Sequence, residues 1–178
     1  MRILLPIVSL ALISGIHSQS ADSTANERRC QVVRKPVTMD CPAGWTLLTE
    51  NEGFALVANF RLGPGVTTNT RAGQGKATIA VSNMPRLYRT FSEWIYAAHK
   101  NAPDAVQKRL NVTNAAGASV PVIWMSSPDG TSLPYSSYFF QVDKNPVLVE
   151  LNYRADDTKR DEYIYAAKAM IAGAKAAR

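Results

Sequence analysis

Apolar positions recur along this chain with two different periods, and the change between them divides it into strands and helices. Trp45 to Thr49 and Phe54 to Phe60 are short apolar runs parted by the turn residues Asn51-Glu52-Gly53, so they read as two strands. Lys76 to Ser82 alternates as a third strand, closed by Asn83-Met84-Pro85. The period then lengthens. Phe91, Trp94, Ile95 and Ala98 fall at i, i+3, i+4 and i+7, which predicts a helix over 91–101 with one apolar face. Thr90 and Glu93 are spaced as a capping box at its start, and Pro103 stops it. Asp104 to Leu110 reads as a short helical continuation, broken by Asn114-Ala115-Ala116-Gly117.

The second half returns to period two. Val120 to Met125 is a strand, followed by the turn Ser127-Pro128-Asp129-Gly130. Tyr135 to Val142 places Tyr138, Phe140 and Val142 on one face, and Asp143-Lys144-Asn145 forms a hairpin loop. Pro146 to Tyr153 comes back with Val147, Val149, Leu151 and Tyr153 on one side and Glu150 and Asn152 on the other. Such alternation belongs to a sheet with one dry face and one wetter face. A last helix follows. Asp156, Asp157, Thr158, Asp161 and Glu162 suit its positive N-terminal end, and Ile164, Ala167, Ile171 and Ala174 are its expected buried stripe. The order strands–helix–strands–helix, with strands arriving as hairpins, predicts an α+β fold: an antiparallel sheet with two main helices packed on it.

The opening residues stand apart from this pattern. Arg2 precedes an apolar run from Ile3 to Ile16, and the small residues Ser18 and Ser20 offer an A-x-A-like cleavage site. Residues 1–20 therefore read as a signal peptide rather than an anchor, because about 14 apolar residues fall short of the roughly 20 needed to span a bilayer. No other run is long enough to span one, so the mature chain is expected to be periplasmic or secreted, and the compact leader favours a bacterial source. Residues 21–41 read as an N-terminal arm and 42–178 as a single α+β domain.

Two cysteines, Cys30 and Cys41, follow the leader. An even count in an oxidising compartment predicts a disulfide tying that arm to the domain. It would close a loop of about 12 residues and contribute ~3 kcal/mol on chain-entropy grounds. A redox role has less behind it, since there is no C-x-x-C and neither cysteine has a neighbouring histidine.

The charge is +6, a modest excess that suits weak attraction to anionic surfaces. Arg28, Arg29, Arg34 and Lys35 form the one basic cluster, either a solvated arm or a contact for an anionic envelope polymer. Catalytic and metal chemistry find little to use. His99 is the one histidine after the leader, and the acidic cluster 156–162 lacks the alternating ligands and central glycine of a calcium loop. No G-x-S-x-G elbow, phosphate cradle or dinucleotide fingerprint occurs. No catalytic residue, metal or cofactor is therefore assigned, and the aromatics fall at core spacing rather than as a nucleic-acid surface.

Two features look site-like. Residues 63–75 (GPGVTTNTRAGQG) read as a long mobile loop carrying Arg71. Trp124, Tyr135, Tyr138 and Tyr153 gather amphipathic aromatics in the second half, where they serve either a core or an interface.

The layout resembles the family of the photosystem II extrinsic P subunit and its bacterial relatives. The resemblance runs over roughly 42–176 and is carried by Pro42-x-Gly44-Trp45, by Glu52-Gly53-Phe54 opening a strand, and by the helix start Thr90-Phe91-Ser92-Glu93. It implies an α/β sandwich with a non-enzymatic accessory or binding role, and no catalytic or metal-binding residue comes with it. The expectation is an exported binding protein that contacts a protein partner or envelope component through Trp124, Tyr135, Tyr138, Tyr153 and Arg71. A small hydrolase using His99 and a small-ligand binder with a pocket between sheet and helix are the alternatives.

Overall fold

The computed structural model describes residues 30–61, 75–113, 116–128, 130–131 and 134–177. The leader 1–20, residues 21–29 and the expected loop with Arg71, apart from Gly75, lie outside these. Ten strands and two helices occupy the described residues: β1 (Gln31–Arg34), β2 (Val37–Asp40), β3 (Thr46–Glu50), β4 (Phe54–Ala58), β5 (Thr78–Asn83), α1 (Phe91–Asn101), β6 (Val106–Thr113), β7 (Ser119–Ser126), β8 (Tyr135–Val142), β9 (Asn145–Asn152), α2 (Arg160–Ala172) and β10 (Lys175–Ala176). Seven strands form one antiparallel sheet in the order β3-β4-β5-β9-β8-β7-β6, and β1-β2-β10 form a small second sheet. The α+β architecture with an antiparallel sheet and two helices is as the patterning predicts.

The helices lie on opposite faces of the large sheet, because strand alternation sends neighbouring side chains to different layers. Tyr138 and Phe140 of β8 join Val147, Val149 and Leu151 of β9 in a core with Tyr163, Ala167, Met170 and Ile171 of α2. Phe139, Met125 and Ile123 point the other way, against Trp94, Ile95 and Ala98 of α1. Trp94 meets Phe139 edge to face at 5.2 Å between centroids. A strand buried on both faces explains why β8 keeps five consecutive buried residues, Ser136 to Phe140.

Local chemistry sets the element ends. The Thr90 hydroxyl accepts from the Glu93 N–H at 3.1 Å, and the Glu93 carboxylate accepts from the Arg89 N–H at 2.8 Å. Both halves of the expected box are thus made, the second reaching one residue further back. At the β8–β9 hairpin Asp143 and Lys144 both have positive φ, 47° and 66°, the pair that a tight two-residue turn requires. Asn145 is already in β9, and its side-chain amide donates to the Val142 and Asp143 carbonyls at 3.0 Å.

Three sequence expectations change. Asp104 to Leu110 is not a helical continuation: 106–113 is β6, paired residue for residue with β7 from Val106↔Ser126 to Thr113↔Ser119. Val106, Leu110 and Val112 alternate with polar residues, and ladder pairing outweighs a helical reading of so short a segment. The buried stripe of α2 is shifted by a residue. Tyr163, Ala166, Ala167, Met170 and Ile171 are buried, while Ile164 and Ala174 sit half-buried at the core's margin. Tyr163 lies in this stripe, its ring edge-on to Trp45 at 6.3 Å.

The third change concerns the N-terminal segment. Cys30 and Cys41 are bonded as expected, but the residues between them form the β1–β2 hairpin rather than a merely tethered arm. Val32, Val37 and Met39 are at most 1% exposed and belong to the main core. Buried Arg34 donates to the Asn51 and Glu52 carbonyls, locking the hairpin to the β3–β4 turn. That arginine is therefore not part of an exposed basic contact.

Candidate functional site

At the end of the large sheet where β6 and β8 begin, the sheet and α2 diverge and leave a cavity of about 510 Å³. Its floor is built by strand register. Lys108 of β6 pairs with Trp124 of β7, Trp124 pairs with Tyr138 of β8, and Tyr138 pairs with Val149 of β9. These rungs share one face of the sheet, so a cation, an indole and a phenol line up from the edge strand inward. The next row runs Val106, Ser126, Ser136 and adds hydroxyls beside the aromatics. The far wall is one stripe of α2, Arg160, Ile164 and Lys168, spaced at i, i+4 and i+8. Tyr153 closes the inner end, and Ser127, Pro128, Gly130, Thr131 and Pro134 form the rim.

Hydrogen bonds hold that rim. The Ser127 N–H donates to the Tyr135 carbonyl at 3.3 Å, and the Ser127 hydroxyl accepts from the Tyr135 N–H at 3.2 Å. The Tyr153 N–H points at the Pro134 carbonyl, 3.5 Å away. Lys108 Nζ lies over the Trp124 ring at 5.8 Å from its centroid, a cation–π contact that positions the charge above the floor.

The phenol of Tyr138 is 1% exposed. Burial pushes its pKa up to about 12, with hydrogen bonds from the Ser136 and Trp124 side chains acting the other way. At neutral pH it is an uncharged hydroxyl.

Four of the five expected contact residues, Trp124, Tyr135, Tyr138 and Tyr153, therefore line one cavity. The fifth, Arg71, lies outside the described residues. Tyr138 and Tyr153 are core residues that also border the cavity: both are buried, at 1% and 3% exposure, and both belong to the main core cluster. Tyr135, first in its strand, borders this cavity and a smaller one of about 290 Å³ under α1. His99 is exposed on α1 and lines neither. In the smaller cavity Ser137 donates to the Glu150 carboxylate at 3.3 Å, with no histidine beside them. Among the described residues no three His, Cys, Asp or Glu side chains gather to hold a metal ion.

The cations Lys108, Arg160 and Lys168 were missed by sequence reasoning, although a signal existed. Lys108 faces Trp124 only if 106–113 is a strand, and the i, i+4, i+8 spacing on α2 carries a mixed basic and apolar stripe rather than a plain helix-end charge.

A second polar cluster sits beside the site. The Asp157 carboxylate accepts from the Gly75 N–H at 2.7 Å, the Lys159 N–H at 2.9 Å and the Tyr163 hydroxyl at 3.2 Å. The Lys159 bond, joined by those of Gly75 and Tyr163, holds its pKa below the usual carboxylate value against the opposing effect of burial. Burial, then the Asp157 charge, raises that of Tyr163. This cluster fastens Gly75 to the start of α2 and is structural.

No family model matches the chain, and no curated protein matches it. Among solved structures it is similar to a Bacteroides thetaiotaomicron protein at 13% identity and TM-score 0.48, over 84% of this chain and 49% of that one. The chain thus spans about half that protein's length. It is also similar to the Saccharomyces cerevisiae Ran-binding protein Mog1p, at 10% identity and TM-score 0.45, over 78% of this chain and 89% of the yeast one. A Pseudomonas aeruginosa protein of unknown function, called a putative regulator, follows at 13% identity and TM-score 0.39, over 76% and 89%.

Proposed function

We propose that this chain is an exported, non-enzymatic binding protein whose site is the cavity between α2 and the β6–β8 end of the sheet. The site takes a small ligand, or a group projecting from an envelope component. One observation carries this reading: Trp124, Tyr135, Tyr138 and Tyr153 converge on a single cavity whose volume falls in the usual range for small-molecule sites. Aromatic walls with a few polar groups at fixed positions give affinity and orientation without any reacting group. Export is supported by the leader-like residues 1–20 and by the Cys30–Cys41 bond, since disulfides persist in oxidising compartments. No helix among the described residues is long and apolar enough to cross a membrane. The accessory role implied by the resemblance to the photosystem II P subunit family points the same way. A hydrolase built on His99 has no comparable support, because that imidazole is exposed and lines neither cavity.

The test is retention. Ala155 is exposed on the cavity's rim, so Ala155→Trp plugs the mouth without entering the core. The protein is isolated from its host's envelope fraction with and without this change and examined by native mass spectrometry. A bound species kept by the wild type and lost from a variant with unchanged melting temperature is expected. Equal retention by the two would remove the cavity from consideration as the site.

A further inference from the structure

Among the described residues the cavity's charge is one-sided. Lys108, Arg160 and Lys168 line it, and no carboxylate does so among the described residues. The three cations come from opposite walls, one on the edge strand β6 and two on α2. Like charges converging on one concavity repel one another, so their placement raises the free energy of the empty site and favours an anion within it. None of the three forms an ion pair among the described residues, where Arg154 pairs with Asp156 at 2.8 Å instead.

The remaining polar lining agrees in sign. Ser126 presents a hydroxyl, which turns to donate where an acceptor is offered, while Thr131 already donates to the Pro128 carbonyl at 2.8 Å. The buried Tyr138 hydroxyl stays protonated far above neutral pH, so it places no negative charge beneath the floor. The volume supplies the other half of the identification. About 510 Å³ is far more than an inorganic anion fills, and the floor beneath it is the Trp124 indole with Tyr138 and Tyr153. A bare phosphate or sulfate would leave the partly exposed Trp124 ring facing water. A ring-sized apolar body carrying an acidic group satisfies both walls.

We infer that the cavity binds a small organic anion, its carboxylate, sulfonate or phosphate held between Lys108, Arg160 and Lys168 and its apolar body lying on Trp124. This rests on the reading of the cavity as the binding site and adds the class of ligand.

The probe is an aromatic sulfonate, 1-anilinonaphthalene-8-sulfonate, titrated by fluorescence against the oxidised protein. Its uncharged analogue N-phenyl-1-naphthylamine serves as the comparison. The three cations are exposed, so Lys108→Gln, Arg160→Gln and Lys168→Gln leave the core untouched. Lys144→Gln, on the distant β8–β9 turn, is the control. Saturable sulfonate binding is expected, weakened about tenfold by each cavity substitution, as loss of one charge-assisted contact implies. It should fall with added salt, remain unchanged in the control, and disappear with Ala155→Trp. Binding of the neutral analogue should respond to Ala155→Trp and not to the charge substitutions.

Sulfonate binding that is blocked by Ala155→Trp yet indifferent to all three charge substitutions overturns the anionic class while the cavity keeps its role. Sulfonate binding indifferent to Ala155→Trp as well places the dye elsewhere and overturns both readings. No saturable sulfonate binding overturns the anionic class, and binding of the neutral analogue then decides whether the cavity stands.

Discussion

Met39 offers a direct test of whether the N-terminal hairpin is a working part of the core. It is 0% exposed, whereas Val33, on the same hairpin, is 39% exposed and points outward. Met39→Ala removes a side chain from between the small sheet and α2, and the backbone around it is held by pairing to both β1 and β10 through β2. A site so restrained relaxes little, so the cost combines lost burial with a residual cavity, about 2–5 kcal/mol for a buried Met→Ala. In a chain of this size each kcal/mol moves the melting temperature by about 2–4 °C, giving a fall of roughly 4–20 °C. Val33→Ala deletes mostly solvated methyls and should stay within about 0.5 kcal/mol of the wild type. Urea unfolding followed by tryptophan fluorescence separates stability from a change in compactness, because the midpoint should shift while the slope holds. Equal melting of the two variants would refute the claim that 30–41 is a structural layer and return it to the status of a tethered arm.

Two further outcomes concern the bonds that frame the domain. Replacing Cys30 and Cys41 together by serine should destabilise the protein by ~3 kcal/mol on loop-entropy grounds, and a reductant should then have no further effect on its denaturation midpoint. A midpoint identical to the oxidised wild type would show that the hairpin's own pairing already confines that loop. Asp157 sets the acid side of the stability profile: its folded pKa lies below the unfolded value, so its contribution is present above the ordinary carboxylate pKa and fades as pH falls through the lowered one. Melting temperatures recorded from neutral pH into the acid range should therefore decline less steeply for Asp157→Asn than for the wild type. Parallel profiles would mean that the three hydrogen bonds are not what depresses the group.

How much of this was legible in the sequence follows from where each element takes its stability. α1 is written locally: Thr90 and Glu93 cap it, and Phe91, Trp94, Ile95 and Ala98 mark its face, so its limits 91–101 are those of the structure. β8 and β9 are equally plain, because both carry strict alternation into a tight turn. The β1–β2 hairpin and β6 are different. In QVVRKPVTMD the apolar positions are few, and tertiary packing, of β1 against β3, β4 and β5 and of β2 against β10 and α2, makes Val32, Val37 and Met39 a core. β6 is an edge strand with most of its residues exposed, so its pattern is weak and its identity comes from pairing with β7.

The same reasoning explains the site. Trp124, Tyr138 and Tyr153 stood out because large amphipathic rings are conspicuous in any sequence, yet whether they serve a core or a contact depends on what covers them. What covers them changes with position along the sheet. Toward β9 the rings are capped by Tyr163 and α2, with Tyr153 and Tyr163 at 6.3 Å, and there they are core. Toward the edge strand the helix diverges, the same row of rungs reaches Trp124 and then Lys108, and the covering layer is replaced by the cavity. Core and candidate site are thus two ends of one aromatic row, which is why residue type alone left the alternatives open. The cations escaped notice for a related reason. Arg160 and Lys168 are ordinary surface residues on a helical wheel, and they acquire a common target only when the sheet's edge places Lys108 opposite them. A site assembled between an edge strand and a distant helix has no signature in either segment, and its charge becomes readable once the register across β6, β7 and β8 is known.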